Sequence, residues 1–128
     1  MKEFNSQICT SREQSERLLA LGLKKETADM VYRSYGYIID EFGDKERRFK
    51  QPTLVVDGWE GKYDIPAWSL HRILLLIPIE VNIDGYRFPL RYDALIRLDE
   101  ADDMYEYTIG VLERTIKEGH FNKEYLEE

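Results

Sequence analysis

The sequence has little of what secreted and membrane proteins need. Among its 128 residues Cys9 is the single cysteine, so no disulfide can form within the chain. No apolar run approaches the ~20 residues that span a bilayer, because the longest, Ile73–Ile77, is ended by Pro78. The first residues, Met1–Ser6, lack the apolar segment of a secretory signal. These absences predict a cytoplasmic protein that does not enter a membrane.

Common enzyme motifs are also missing. The sequence has no G-x-G-x-x-G loop, no phosphate-binding loop that ends in Gly-Lys, and no G-x-S-x-G turn. Cys9, His71 and His120 are residue types that supply nucleophiles and bases, but their spacing matches no known arrangement. One cysteine and two distant histidines also make no zinc ligand pair. We therefore predict no catalytic, cofactor-binding or metal-binding residue, and an enzyme of another type stays open only as an alternative.

The formal net charge of −7 is unevenly distributed along the chain. Residues 1–64 carry a net charge of −1 and residues 65–128 a net charge of −6. A metal site is one interpretation of the acidic cluster in the second half, because Asp99, Asp103 and Glu106 would share a helical face. The alternating ligands of a calcium loop are absent, so interaction with a helix N-terminus is the better interpretation. The cluster comprises Asp99, Glu100, Asp102, Asp103 and Glu106.

Two basic regions raise the alternative of nucleic-acid binding. Lys24, Lys25 and Thr27 would begin the second helix of a helix-turn-helix, although Glu26 and Asp29 oppose that role. The second region has three arginines among aromatic residues, which is also how an ordinary sheet surface looks. The sequence therefore does not favour nucleic acid as a partner. A protein that mimics DNA would need a denser set of carboxylates than this chain has. This second region contains Tyr86, Arg87, Phe88, Arg91, Tyr92 and Arg97.

Local patterns predict four helices. Thr10 and Glu13 have the spacing of a capping box, and Gly22 is suited to end the helix that follows. Pro66 suits a first helical turn, and the 3-4 spacing of apolar residues after residue 100 is the firmest helical signal. The predicted helices are Ser11–Leu21, Glu26–Arg33, Pro66–Ile77 and Ala101–Glu118.

The clearest strand signal is a hairpin around Asp84-Gly85. Period-two alternation precedes this dipeptide, which favours a type I′ turn, and Pro89 limits the second strand. Residues 43–62 are predicted to be a charged, mobile connection with a turn at Asp57-Gly58. The predicted strands are Tyr35–Phe42, Thr53–Val56, Ile79–Ile83, Tyr86–Leu90 and Ala94–Leu98.

Together these elements predict a single α+β domain over residues 1–128. A small antiparallel sheet of three or four strands, including the hairpin, would pack against three or four helices. The predicted core contains Trp68, Leu70, Ile73, Leu74, Met104, Val111, Leu112 and Ile116.

Three stretches carry a resemblance to a known family. They are TSREQSERLLALGLKKETADM (residues 10–30), DIPAWSLHRILLLIP (residues 64–78) and IKEGHFNKEYL (residues 116–126). In this order they resemble a family of small bacterial proteins that are often encoded in prophages, and to which no activity is assigned. The resemblance implies no site residue. It favours a non-enzymatic accessory protein that acts through contact with a protein partner or with itself, and the near-neutral first half is the expected contact region.

Overall fold

The fold is α+β, as predicted. The computed structural model describes residues 7–55, 61 and 63–127. Within these residues there are four α-helices and seven short strands, and all strand pairs are antiparallel. In chain order they are α1 Arg12–Ala20, β1 Met30–Tyr32, β2 Ser34–Ile39, β3 Lys45–Phe49, β4 Thr53–Leu54, β5 Ile65–Ala67, α2 Leu70–Leu76, β6 Val81–Ile83, β7 Tyr86–Phe88, α3 Leu90–Leu98 and α4 Met104–Lys117.

Helix α1 begins one residue later than the sequence pattern predicted. Its capping box joins Ser11 and Gln14, each side chain accepting a hydrogen bond from the other residue's backbone N–H. Thr10 is buried instead, where its hydroxyl contacts Ser15 and accepts a bond from the Trp68 backbone N–H at 3.1 Å. Gly22 ends the helix region with a φ of +98°, as its position predicted.

Strand β1 replaces the predicted helix Glu26–Arg33. Only a 3₁₀ turn forms at Lys25–Thr27, and β1 follows at the centre of a three-stranded sheet in the order β4-β1-β5. Met30 and Val31 are consecutive and both buried, which a strand between two neighbours allows. Pro66 lies in the edge strand β5 rather than in a helix, because an edge strand tolerates a missing N–H.

Strands β2 and β3 form an arm, Ser34–Phe49, and β3 lies within residues 43–62, where a charged, mobile connection was predicted. The strand predicted at Tyr35–Phe42 is present as β2, and it pairs with β3 in a register that places Tyr37 opposite Arg47. In the described part of the chain, no other helix or strand packs extensively against β2 or β3. The predicted turn at Asp57-Gly58 lies outside the described residues.

The predicted hairpin is present, but the strand predicted after it is wrong. Asp84 and Gly85 have φ values of 51° and 84°, as a type I′ turn requires, and β7 ends before Pro89. Residues 94–98 belong to α3. Leu90, Ala94 and Leu98 recur every four residues toward the core, a helical spacing that the sequence analysis overlooked. Among the strands that the structure describes, β6 and β7 pair only with each other, so the three-stranded sheet is built elsewhere.

The core lies between the four helices. Four of the predicted core residues are buried there and three more pack partly buried around them, but Met104 is 44% exposed. Met104 is the first residue of α4, immediately after the capping residue Asp103, and the buried face of α4 begins at Tyr105. The buried members of the prediction are Trp68, Ile73, Val111 and Leu112; the partly buried ones are Leu70, Leu74 and Ile116.

Candidate functional site

The three residues considered for catalysis do not form a shared site. Cys9 is buried before α1, His71 is exposed on α2, and His120 is exposed just after Gly119 ends α4. The Cys9 thiol donates to the Tyr32 hydroxyl at 3.6 Å, and burial raises the pKa of that thiol. A protonated, enclosed thiol is a poor nucleophile. The apolar residues around His71 in the sequence favour a place at the edge of the core, and the exposure of His71 corrects that expectation.

The acidic cluster is divided between two helix ends. Asp103 caps α4 by accepting hydrogen bonds from the backbone N–H groups of Tyr105 and Glu106, which confirms the interpretation as a helix N-terminus. Asp99 follows the last residue of α3, so it does not share a helical face with Glu106. Glu106 instead binds the Arg17 guanidinium at 2.8 Å. Over the described residues, no group of three metal-ligating side chains forms.

The structure changes both basic regions that the sequence suggested as nucleic-acid surfaces. The second helix of a helix-turn-helix is absent, and the Thr27 hydroxyl is buried as the acceptor for the Trp68 indole N–H. Arg91 donates to the carbonyls at the end of α2, and Arg97 pairs with Asp93 at 3.0 Å. These interactions occupy two of the three arginines within the fold.

The most exposed large apolar side chain of the described residues lies at the tip of the arm. Phe42 is 82% exposed. The turn that carries it is ordered by Asp40, whose carboxylate accepts from the backbone N–H groups of Phe42 and Asp44, both at 2.9 Å. Gly43 supplies the positive φ of 84° that this tight turn needs. The tip therefore presents an aromatic ring from a defined backbone.

Apolar exposure continues along the arm from the tip toward the body. Side chains on both faces of β2 are solvent-accessible, since none of the described elements apart from β3 packs extensively against this strand. Tyr37, Ile38 and Ile39 are each at least 40% exposed. Exposed apolar side chains that are grouped on one element are a common feature of interaction sites on soluble proteins.

The base of the arm is anchored by Asp64. Its side chain accepts a hydrogen bond from the Ser34 backbone N–H at 2.9 Å and one from the Arg33 guanidinium at 3.0 Å. Gly61 makes room for this carboxylate, because a Cβ at position 61 would collide with it. The anchoring residues come from distant parts of the sequence, so no local pattern could have revealed them.

The arm was not predicted as a site because residues 43–62 were expected to be a connection. One signal was available: turn-forming Asp40 and Gly43 separate a strand-like run from Lys45–Phe49, a segment long enough for a second strand.

Comparison with known proteins adds no relative. No family model, curated protein or solved structure matches the chain. In the described part of the chain, no helix is both long and apolar enough to cross a membrane.

Proposed function

We propose that this protein is a non-enzymatic interaction module that works in the cytoplasm and binds a protein partner through the tip of its arm. The observation that carries the proposal is the exposure of Phe42 on an ordered turn. Solvent-exposed aromatic residues are enriched where proteins bind one another, and they dominate the energy of many interfaces.

The construction of the arm supports this role. A two-stranded hairpin is marginally stable alone in water, and this one is held mainly at its base. A partner that covers Ile39 and Phe42 would bury apolar surface that folding leaves exposed. Burial of such surface is the main favourable term in protein association.

Charge at the tip indicates the kind of partner. Asp40, Glu41 and Asp44 surround Phe42, and among the described residues none of them forms an ion pair. We infer that the partner offers an apolar pocket with a basic rim, since complementary charge steers association and fixes orientation. The resemblance to prophage-associated proteins makes proteins encoded beside this one the first partners to test.

Photocrosslinking tests the proposal directly. A photoreactive amino acid replaces Phe42 in one variant and Tyr86, which is 66% exposed at the other hairpin, in a matched control. We expect one discrete adduct from position 42 in the native host and none from position 86. Equal labelling from both positions would contradict a specific tip surface.

The captured partner then allows a quantitative test. Phe42→Ala should weaken binding of the purified partner by about thirtyfold or more, as expected for an interfacial aromatic anchor. Phe42→Trp should retain most of the affinity because it keeps a large aromatic side chain. Unchanged affinity in Phe42→Ala would show that the tip is not the binding surface.

A further inference from the structure

A second surface lies at the base of the arm, where basic side chains form no ion pair with any acidic residue that the structure describes. Over the described residues, ion pairs involve Arg17, Arg33, Arg97 and Lys117. None involves the four cations that lie on and beside β3 at this end of the arm, although the chain as a whole is acidic. We name these four the basic patch; they are Arg12, Arg47, Arg48 and Lys50.

Aromatic rings take the place of carboxylates in this patch. The Arg47 guanidinium lies 3.2 Å from the centre of the Tyr63 ring and 5.8 Å from that of Tyr37. Nearer the tip, at the start of β3, the Lys45 ammonium lies 4.9 Å from the centre of the same Tyr37 ring. Such contacts hold a cation in place without neutralising it, so its charge stays available to an anionic ligand.

The patch surrounds a small cavity of about 170 Å³ beside the base of the arm. Arg12, from α1, reaches this cavity and also lies over the Phe49 ring at 4.9 Å. Tyr35 lines the same cavity and is 60% exposed, so its ring can accept a stacked group. Four basic side chains and the single carboxylate of Glu46 line the cavity, which leaves a local excess of positive charge.

From this arrangement we propose that the base of the arm binds single-stranded nucleic acid. Proteins that bind single strands combine a positively charged surface for the phosphates with aromatic rings on which bases stack. The basic patch supplies the first, and the exposed ring of Tyr35 supplies the second. An acidic protein segment would use the cations but has no need of stacking rings, so nucleic acid fits the whole surface better.

The negative net charge of the chain does not oppose this proposal. At 0.1 M salt, interactions between exposed charges are screened beyond about 10 Å. The acidic tip at Asp44 is separated from Lys50 by roughly 20 Å of extended strand. A phosphate at the base of the arm therefore interacts mainly with the basic patch.

Fluorescence anisotropy with a labelled oligothymidylate tests the proposal. An oligonucleotide of about 12 nucleotides is suitable, because this length lies within the range of known single-strand binding sites. We expect saturable binding at low salt. If four cations contact phosphates, log K should fall with log salt concentration with a slope of about −3. No saturable binding at low salt, or binding that does not depend on salt, would overturn the proposal.

Charge-neutralising variants locate the site. Arg48→Gln and Lys50→Gln remove side chains with no described contact, so the fold should be retained, and each should reduce the slope by about 0.7. Arg87→Gln, in the exposed hairpin β6–β7, is the matched control and should bind like the unaltered protein. An equal loss in Arg87→Gln would show that the binding is not confined to the patch.

Stacking is tested separately from charge. Tyr35→Ala should weaken oligonucleotide binding about tenfold, whereas Tyr35→Phe should bind normally. Polyglutamate should compete poorly, and competition equal to that of the oligonucleotide would identify the surface as a site for acidic proteins. Phe42→Ala should leave oligonucleotide binding unchanged, which separates this site from the proposed protein-binding tip.

Discussion

The indole Nε1 of Trp68 donates a hydrogen bond of 2.9 Å to the Oγ1 of Thr27, and both residues are buried. The bond joins the 3₁₀ turn before β1 to the segment between β5 and α2. Trp68 is the largest fully buried side chain in the described residues. Its single N–H donor finds its acceptor only because the turn places Thr27 inside the core.

Replacing Thr27 by valine should therefore destabilise the fold. The variant keeps the shape of the side chain but leaves the Trp68 N–H without an acceptor, which costs about 1–3 kcal/mol. Urea unfolding followed by tryptophan fluorescence measures the loss. Thr53→Val, on the exposed strand β4, is the control and should change stability by less than about 0.5 kcal/mol. Equal stability of the two variants would contradict a structural role for the bond.

Replacing either of two glycines by alanine should change the stability of the protein, but in opposite directions. Gly85 has a φ of +84°, so Gly85→Ala should destabilise the hairpin by about 1 kcal/mol or more. Gly110 lies within α4, where nothing within 4 Å obstructs a Cβ, so Gly110→Ala should stabilise the protein by about 0.5–1 kcal/mol. Thermal unfolding of both variants and of the unaltered protein measures these two changes in stability. A stabilising effect of Gly85→Ala would show that the turn is not type I′.

The pair between Glu106 and Arg17 should make stability depend on pH. Hydrogen bonds from Arg17 and then Gln14 lower the pKa of Glu106 below its ordinary value of 4.5. The pKa is lower in the folded state, so the stabilisation is complete above the unfolded value and is lost as the pH falls through the folded one. Both side chains are nearly half exposed, so the effect is below about 1 kcal/mol.

Comparing Glu106→Gln with the unaltered protein isolates this contribution. At neutral pH the variant should be slightly less stable, and the difference should shrink steadily as the pH is lowered below 4.5. Glu100→Gln, an exposed control, should show no comparable trend. A difference between Glu106→Gln and the unaltered protein that grows at acidic pH would contradict the assigned direction.

Removing the carboxylate of Asp64 should loosen the arm more than the body. Asp64→Ala leaves the Ser34 N–H and the Arg33 guanidinium without their shared acceptor, at a cost of about 1–3 kcal/mol. Amide hydrogen exchange should accelerate in Ser34–Phe49 while α4 stays protected. Asp93→Ala, which removes an exposed pair on α3, is the control. Uniform acceleration throughout the chain would show that Asp64 supports the whole fold.

Sequence patterns predicted those elements whose determinants lie close together in the chain. The Asp84-Gly85 turn depends on two adjacent residues. Helix α4 depends on the spacing of its own apolar residues, with Asp103 as its cap and Gly119 at its end. Helix α3 had an equally local signal in Leu90, Ala94 and Leu98, and the error there lay in giving strand preference more weight than spacing.

Other elements could not be predicted locally. Met30 and Val31 form a short apolar run that fits a helix or a strand equally well. Only pairing with β4 and β5, both more than 20 residues away, selects the strand. The same applies to Pro66, whose place depends on β5 being an edge strand.

By itself, the sequence determined the α+β class, the hairpin and the helices with clear caps, because these depend on interactions within a few residues. It also showed that the net negative charge is concentrated in the second half. Only the tertiary structure brought Arg12, Arg47 and Tyr63 together at the base of the arm and left Phe42 exposed at its tip. Side chains that are far apart in the chain form a surface only when the backbone between them has folded. The spacing of residues in the sequence therefore does not predict which of them will meet.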